Sequence, residues 1–265
     1  MDRDVPAQPL IHPTACVARG ARLGAGVRVG PFAVVEDDVE IGDRCELAAH
    51  AVIRRHTRMG PDNRIGEHAV IGGAPQDLGF REHRSYLTIG AGNVIREGAT
   101  LNRSSRADEA TTLGDRCYLM AYSHLGHDCR VGNQVIVANG ALLAGFVEVG
   151  DRAFVSGNVA IHQFTRVGRL AMVGGLARVS QDCLPFMITE GSPARARAVN
   201  VVGLRRAGFA AGDIRAVKNA LGVLARMPRL EDALAALEAE ASPLAREIAL
   251  FVRSSRRGFS HPSRS

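Results

Sequence analysis

Every sixth residue from Leu113 to Val179 is leucine, valine or isoleucine, without an exception. Alternation would predict an ordinary strand and three- or four-residue spacing a helix. A period of six fits neither, and is the pattern of a solenoid in which each hexad is one short strand and one corner. The same phase runs from Ile11 through Ile71 and again from Ile89 to Leu101. Three hexads close a triangular coil, so residues eighteen apart are expected to stack at about 4.8 Å, the spacing of neighbouring strands. A glycine follows the inward residue at Gly114, Gly126, Gly132, Gly150, Gly168 and Gly174. At those corners a residue free of Cβ strain is expected.

The beat fails at Asp77 and His83, and again at Ala107. Two excursions, near 73–88 and 103–112, should therefore leave the coil, and loops that a regular scaffold does not need are more often functional than accidental. Beyond Pro185 the spacing changes to three and four over 213–226, 230–241 and 243–255, with Ser242-Pro243 as an N-cap followed by proline at the first helical position. The expected chain is thus mostly β, with a β-helix of hexapeptide repeats over 1–190 and a C-terminal α-helical domain over 191–265. That domain would cover the last coil's open edge.

Composition narrows the function more than the fold. Five cysteines, odd in number and without a C-x-x-C pair, suggest neither a disulfide framework nor a thiolate metal cage and fit a reducing cytoplasm. The N-terminus lacks the apolar core of a secretion signal and no run approaches membrane-spanning length, so no stable membrane insertion is expected. The net charge of +6 comes from arginine, clustered at Arg195, Arg197, Arg205, Arg206, Arg253, Arg256 and Arg257. Such clusters favour an acidic partner or a phosphate. Nucleic acid fits less well, because no aromatic residues are interleaved for base stacking.

The candidate chemistry lies in the run Ala121-Tyr-Ser-His-Leu-Gly-His-Asp-Cys129. Leu125 points inward, so His124 and His127 cannot both be core. Stacking by eighteen puts His127, Gly145 and Gln163 in one column and Asn139, Gly157 and Gly175 in another. Gly157 and Gly175 do not directly follow a hexad aliphatic, as the turn glycines do, and two bare positions one above the other leave a groove fit for an acyl chain. A histidine beside a bare amide supplies a base and an oxyanion donor, the minimum for acyl transfer.

These residues, with Ile11-His-Pro-Thr-Ala15, Gln76-Asp-Leu78, His124-x-x-His-Asp-Cys129, Ala160-Ile-His-Gln-Phe164, Met172-Val-Gly-Gly175, Gly203-Leu-x-Arg206 and Arg253-Ser-Ser-Arg256, carry a resemblance. From about Ile11 to Gly258 the chain resembles the acyl-carrier-protein-dependent UDP-N-acetylglucosamine O-acyltransferases that begin lipid A synthesis. The resemblance implies a left-handed parallel β-helix, a homotrimer with active sites between subunits, an acyl carrier protein donor, a UDP-sugar acceptor and no cofactor or metal. It implies that His127 is the general base, oriented by Asp128, and that the Gly145 amide holds the oxyanion. Asp77 and His124 match sugar contacts. Gln163, Asn200 and Arg206 match groups around the nucleotide, with His162 close by. Asn139, Gly157 and Gly175 match the acyl groove, open at Gly175 to a longer 3-hydroxyacyl chain.

The chain departs from the family's pattern at several substrate-facing positions. Gly79 stands where the family has lysine, Phe146 where it has histidine, Val202 where it has an acid, and Ala207 where it has arginine. The run Asn102-Arg-Ser-Ser105 replaces the family's His/Asn-Arg-Gly-Thr. The acceptor is therefore expected to be UDP-N-acetylglucosamine, or a different amino or diamino nucleotide sugar if the chain is a diverged paralogue. Two other classes share the repeat. A zinc-dependent γ-class carbonic anhydrase would use three histidines, for which His124, His127 and His162 are the candidates. A non-catalytic solenoid would use none.

Overall fold

The computed structural model describes residues 8–262, which coil as a left-handed parallel β-helix closed by a small helical domain. Short strands, most of them two residues long, form three sheets that are parallel apart from an antiparallel hairpin at the end of the first, and that make the faces of a triangular prism. The first face starts at Leu10–Ile11, the second at Cys16–Val17 and the third at Arg22–Leu23. Register follows the hexad: Val29 pairs with Leu47, Leu125 with Leu143, and Val149 with Val167.

Every inward residue of the phase from Val29 to Val179 is at most 5% exposed. Each buried aliphatic side chain contributes on the order of 1.5–3 kcal/mol, so this stripe supplies most of the core's apolar burial. A second stripe, two residues before the first, is also buried and holds small side chains such as Ala33, Ala51, Ala141 and Ala171. Cys45, Cys117, Cys129 and Cys183 lie in this second stripe, which gives them a packing role. Burial raises the Cys117 thiol to about 11 and the Cys129 thiol to about 12.

The turn glycines are needed for a different reason from the one expected. Corner strain falls three residues after the inward position, where non-glycine residues such as Asp38, Asp128, Phe146, Phe164 and Leu176 take φ between 52° and 62°. The glycines do not have positive φ. A Cβ on Gly150 would stand 2.7 Å from Arg169 N, and one on Gly168 2.4 Å from Pro185 N. Close approach of the next coil, rather than left-handed backbone, excludes a side chain there.

The boundary expected at 190/191 falls inside a β-hairpin. Met187–Glu190 adds to the first face beside Met172–Val173, and Arg195–Val199 returns antiparallel to it. The β part therefore continues to Val199. Four helices follow: α1 (Val201–Arg206), which carries too short a pattern to be read from sequence, α2 (Ala211–Arg226), α3 (Leu230–Ala239) and α4 (Pro243–Arg253). Pro243 opens α4, but the Ser242 side chain makes no cap bond. The helices share a second core with Leu170, Phe186 and Met187. Arg166 ties α4 to the last coils, binding Asp182 and the Phe251 carbonyl. Among the described residues no helix is long and apolar enough to cross a membrane.

Candidate active site

The corner between the second and third faces gathers the chemistry. His124–Leu125 is a strand of the second face and Arg130–Val131 one of the third, so His127 and Asp128 turn the corner. Both are 8% exposed. The His127 Nδ1 lies 2.7 Å from Asp128 Oδ2. An ionised carboxylate only accepts, so Nδ1 carries the proton and the Nε2 lone pair is free. Burial pushes the Asp128 carboxyl up, but hydrogen bonds from Ser104, Ser105 and His127 outweigh it and hold the group below the usual carboxylate range.

Gly145 stacks on the next coil, where Phe146 N donates to His127 O at 2.9 Å. A Cβ on Gly145 would stand 2.5 Å from His127 Cε1 and 2.6 Å from Nε2, so the imidazole lies across this bare position. The Gly145 N–H takes no part in the ladder between coils. At the corner between the third and first faces the equivalent amides are capped, Ala91 N by Asp115 and Asp115 N by Asn133. At Gly145 no such side chain covers the amide.

His124 stands on the second face with Nδ1 2.8 Å from Thr100 Oγ1. Burial and then repulsion from His127 lower its pKa, so it is held neutral. His162 and Gln163 are exposed on the coils above. Asp77 is exposed on loop 74–85 and accepts from Gly79 N at 2.7 Å, while Leu78 at its tip is fully exposed. Phe146 meets His127 edge-on at 5.3 Å, stacks on Phe164 at 4.5 Å, and is covered by the Arg106 guanidinium at 4.9 Å. Among the described residues no group of three His, Cys, Asp or Glu side chains is arranged to hold a metal ion.

The remaining candidates stand elsewhere. Asn139, Gly157 and Gly175 line the corner between the first and second faces, with the second face separating them from His127. A Cβ on Gly175 would meet nothing closer than Gly157 O at 3.5 Å, so this column is open to solvent. Asn200 and Arg206 belong to a third place. With Ile136, Phe154 and Met172 they line a cavity of about 660 Å³ against the first face. Asn200 is buried and caps α1, accepting from Gly203 N at 2.9 Å and donating to Leu170 O at 2.9 Å. Its side chain is committed to structure, and Arg206, exposed in the last turn of α1, is the freer group.

Ser104, Ser105 and Thr111 are part of the corner that the stacking rule did not reveal. Ser104 Oγ donates to Asp128 Oδ1 at 2.5 Å, Ser105 Oγ to Oδ2 at 2.6 Å, and Asp128 N donates to Thr111 Oγ1 at 2.7 Å. Two traces of the segment stand in the sequence, the loss of the hexad beat at Ala107 and the run Asn102-Arg-Ser-Ser105 in place of the family's His/Asn-Arg-Gly-Thr, but neither says that the serines touch Asp128.

Comparison with known proteins matches this architecture throughout. The model of domain 2 of UDP-N-acetylglucosamine O-acyltransferase matches residues 182–260, and the bacterial transferase hexapeptide model matches 20–55 and 110–145. The acyl-[acyl-carrier-protein]–UDP-N-acetylglucosamine O-acyltransferase of Paraburkholderia phymatum is 43% identical over 256 residues, covering 94% of this chain and 98% of the relative. Among solved structures, the UDP-N-acetylglucosamine acyltransferase of Bacteroides fragilis superposes with TM-score 0.92 at 38% identity, covering 94% of this chain and 99% of that one. The enzyme of Campylobacter jejuni superposes with TM-score 0.90 at 36% identity, covering 95% and 99%. With identity and coverage at these levels, and with a histidine, a carboxylate and a bare amide assembled at one corner of the coil, the chain belongs to the acyl-carrier-protein-dependent UDP-N-acetylglucosamine O-acyltransferase family.

Proposed function

We propose that the chain transfers a 3-hydroxyacyl group from acyl carrier protein to the 3-hydroxyl of UDP-N-acetylglucosamine, with His127 as general base. Acyl transfer to this acceptor opens lipid A biosynthesis and is the reaction of the family to which the chain belongs. One observation carries the reading. His127, whose Nε2 lone pair is freed by the Nδ1 bond to Asp128, lies across the side-chain-free position of Gly145, with Nε2 2.6 Å from where a Cβ would stand and the uncapped Gly145 amide beside it. His127 Nε2 takes the hydroxyl proton as the sugar oxygen bonds to the thioester carbonyl carbon, and the Gly145 N–H stabilises the oxyanion. The C–S bond then breaks, and the proton passes from Nε2 to the departing thiolate. The thioester itself activates the acyl group, so the step calls for no cofactor.

The acyl groove, the base and the α1 cavity occupy different parts of one chain. That separation supports a homotrimer in which the groove column and Arg206 of one copy complete the corner of another. His124, His162 and Gln163 share the base's corner or its face; His124, with Asp77 on loop 74–85, is assigned to the sugar, and Gln163, with His162 beside it, to the nucleotide. A nucleotide sugar and a carrier-bound acyl group as substrates support a cytoplasmic place of action. A second reading, a different amino sugar as acceptor, is favoured by Phe146, whose ring offers no hydrogen bond beside the base.

The test is an acyl-transfer assay with 3-hydroxyacyl carrier protein and UDP-N-acetylglucosamine, read by product mass. Wild type is expected to give the acylated sugar, and His127→Ala to lose at least ~10²-fold in kcat with its oligomer and melting temperature unchanged. Full activity of His127→Ala overturns the base. No product from folded wild type, but product with a 3-amino nucleotide sugar, establishes the second reading.

A further inference from the structure

We infer that Ser104 and Ser105 are positioning residues for the acyl transfer: they clamp both carboxylate oxygens of Asp128 and so fix the ring of His127. The inference rests on His127 acting as the base. Asp128 Oδ1 accepts from Ser104 Oγ at 2.5 Å, while Oδ2 accepts from Ser105 Oγ at 2.6 Å, Ser105 N at 3.1 Å and His127 Nδ1 at 2.7 Å. A carboxylate held at one oxygen can pivot about its Cβ–Cγ bond. Gripped at both, it presents Oδ2 to the imidazole in one orientation.

The clamp is rigid because its own segment is anchored. Ser104 has no exposed surface, and its Oγ accepts from Arg106 N at 3.0 Å while donating to Asp128. Its backbone N–H donates to Tyr86 O at 3.0 Å, and its carbonyl accepts from Ser85 Oγ at 2.6 Å. Arg103, 3% exposed, reaches back to His83 O at 2.7 Å, to Ser85 Oγ at 3.0 Å and to Glu82 at 2.6 Å, with its guanidinium 5.2 Å from the Phe80 ring centre. Loop 74–85, which carries Asp77, is thereby fastened to the segment that holds Asp128. Hydroxyl groups are suited to such a clamp, because they donate to an anion without adding a charge that would compete with His127 for it.

The test combines steady-state kinetics with a double-mutant cycle on the full-length oligomer. Ser104→Ala with Ser105→Ala is expected to lower kcat roughly 10- to 100-fold, part of the ~10²–10⁴ that a positioned base contributes, with KM for UDP-N-acetylglucosamine within about twofold. In an Asp128→Ala background the same two changes are expected to move kcat by less than about twofold, because the group they hold is gone. Ser105→Thr, which keeps a hydroxyl, is expected to retain most of the activity that Ser105→Ala loses. Wild-type kcat in the double serine variant, or an equal loss in the Asp128→Ala background, overturns the clamp. If His127→Ala is inactive while the double serine variant is fully active, the clamp alone falls; if His127→Ala is fully active, both fall.

Discussion

The imidazole of His127 crosses the Cα of Gly145 so closely that no Cβ fits between them, and only glycine at that position leaves the ring where Asp128 aims it. The obstructing atoms belong to a side chain, so a methyl group at 145 can be accommodated by turning the imidazole away. Gly145→Ala is therefore expected to fold and assemble normally but to lose on the order of 10²-fold in kcat, the scale of a misplaced base. Kinetics beside a melting curve check this, and unchanged kcat would show that the ring does not need its present position.

Two glycines make opposite predictions. At Gly175 the space beyond a Cβ is open, so Gly175→Met is expected to keep its melting temperature and shift preference towards shorter acyl chains, because the thioether fills the groove. At Gly168 a Cβ would meet Pro185 N at 2.4 Å, where only backbone can yield. Gly168→Ala is expected to destabilise by about 1–3 kcal/mol, as overpacking does, without altering chain-length preference. Donor competition by mass and denaturant unfolding measure the two effects.

His124 gives a pH signature. Its folded pKa lies below the ordinary 6.5, first because burial penalises the charged ring and then because His127 repels it. A depressed folded value means that the unfolded chain binds the proton more readily. The stability of the neutral group is complete above the unfolded value and is lost as pH falls through the folded one. Asp128 has the same sign in a more acidic window, since its folded value lies below 3.8. Wild type is expected to lose more melting temperature than His124→Gln as pH falls from about 7 to about 5, the range in which histidine titrates. Parallel melting profiles would show that His124 is not held neutral.

The hexad phase by itself determined the coil, the inward stripe and the stacking of His127 under Gly145, because strand pairing in a solenoid is set by a local period and repeats without reference to distant residues. Family motifs in the same residues fixed the reaction class. The excursions escaped that rule, since each adds residues to the count between coils without adding a coil. Ser104 and Asp128 are 24 residues apart rather than eighteen, as are Thr100 and His124, so no arithmetic on the sequence paired them. The hexad phase also separates the base column from the groove column, but the path of loop 74–85 around Arg103 and the docking of the α1 cavity on the first face were decided by tertiary structure. A period states which residues share a column, but only the closed prism, with its loops folded back and its helices docked, states which columns face one another.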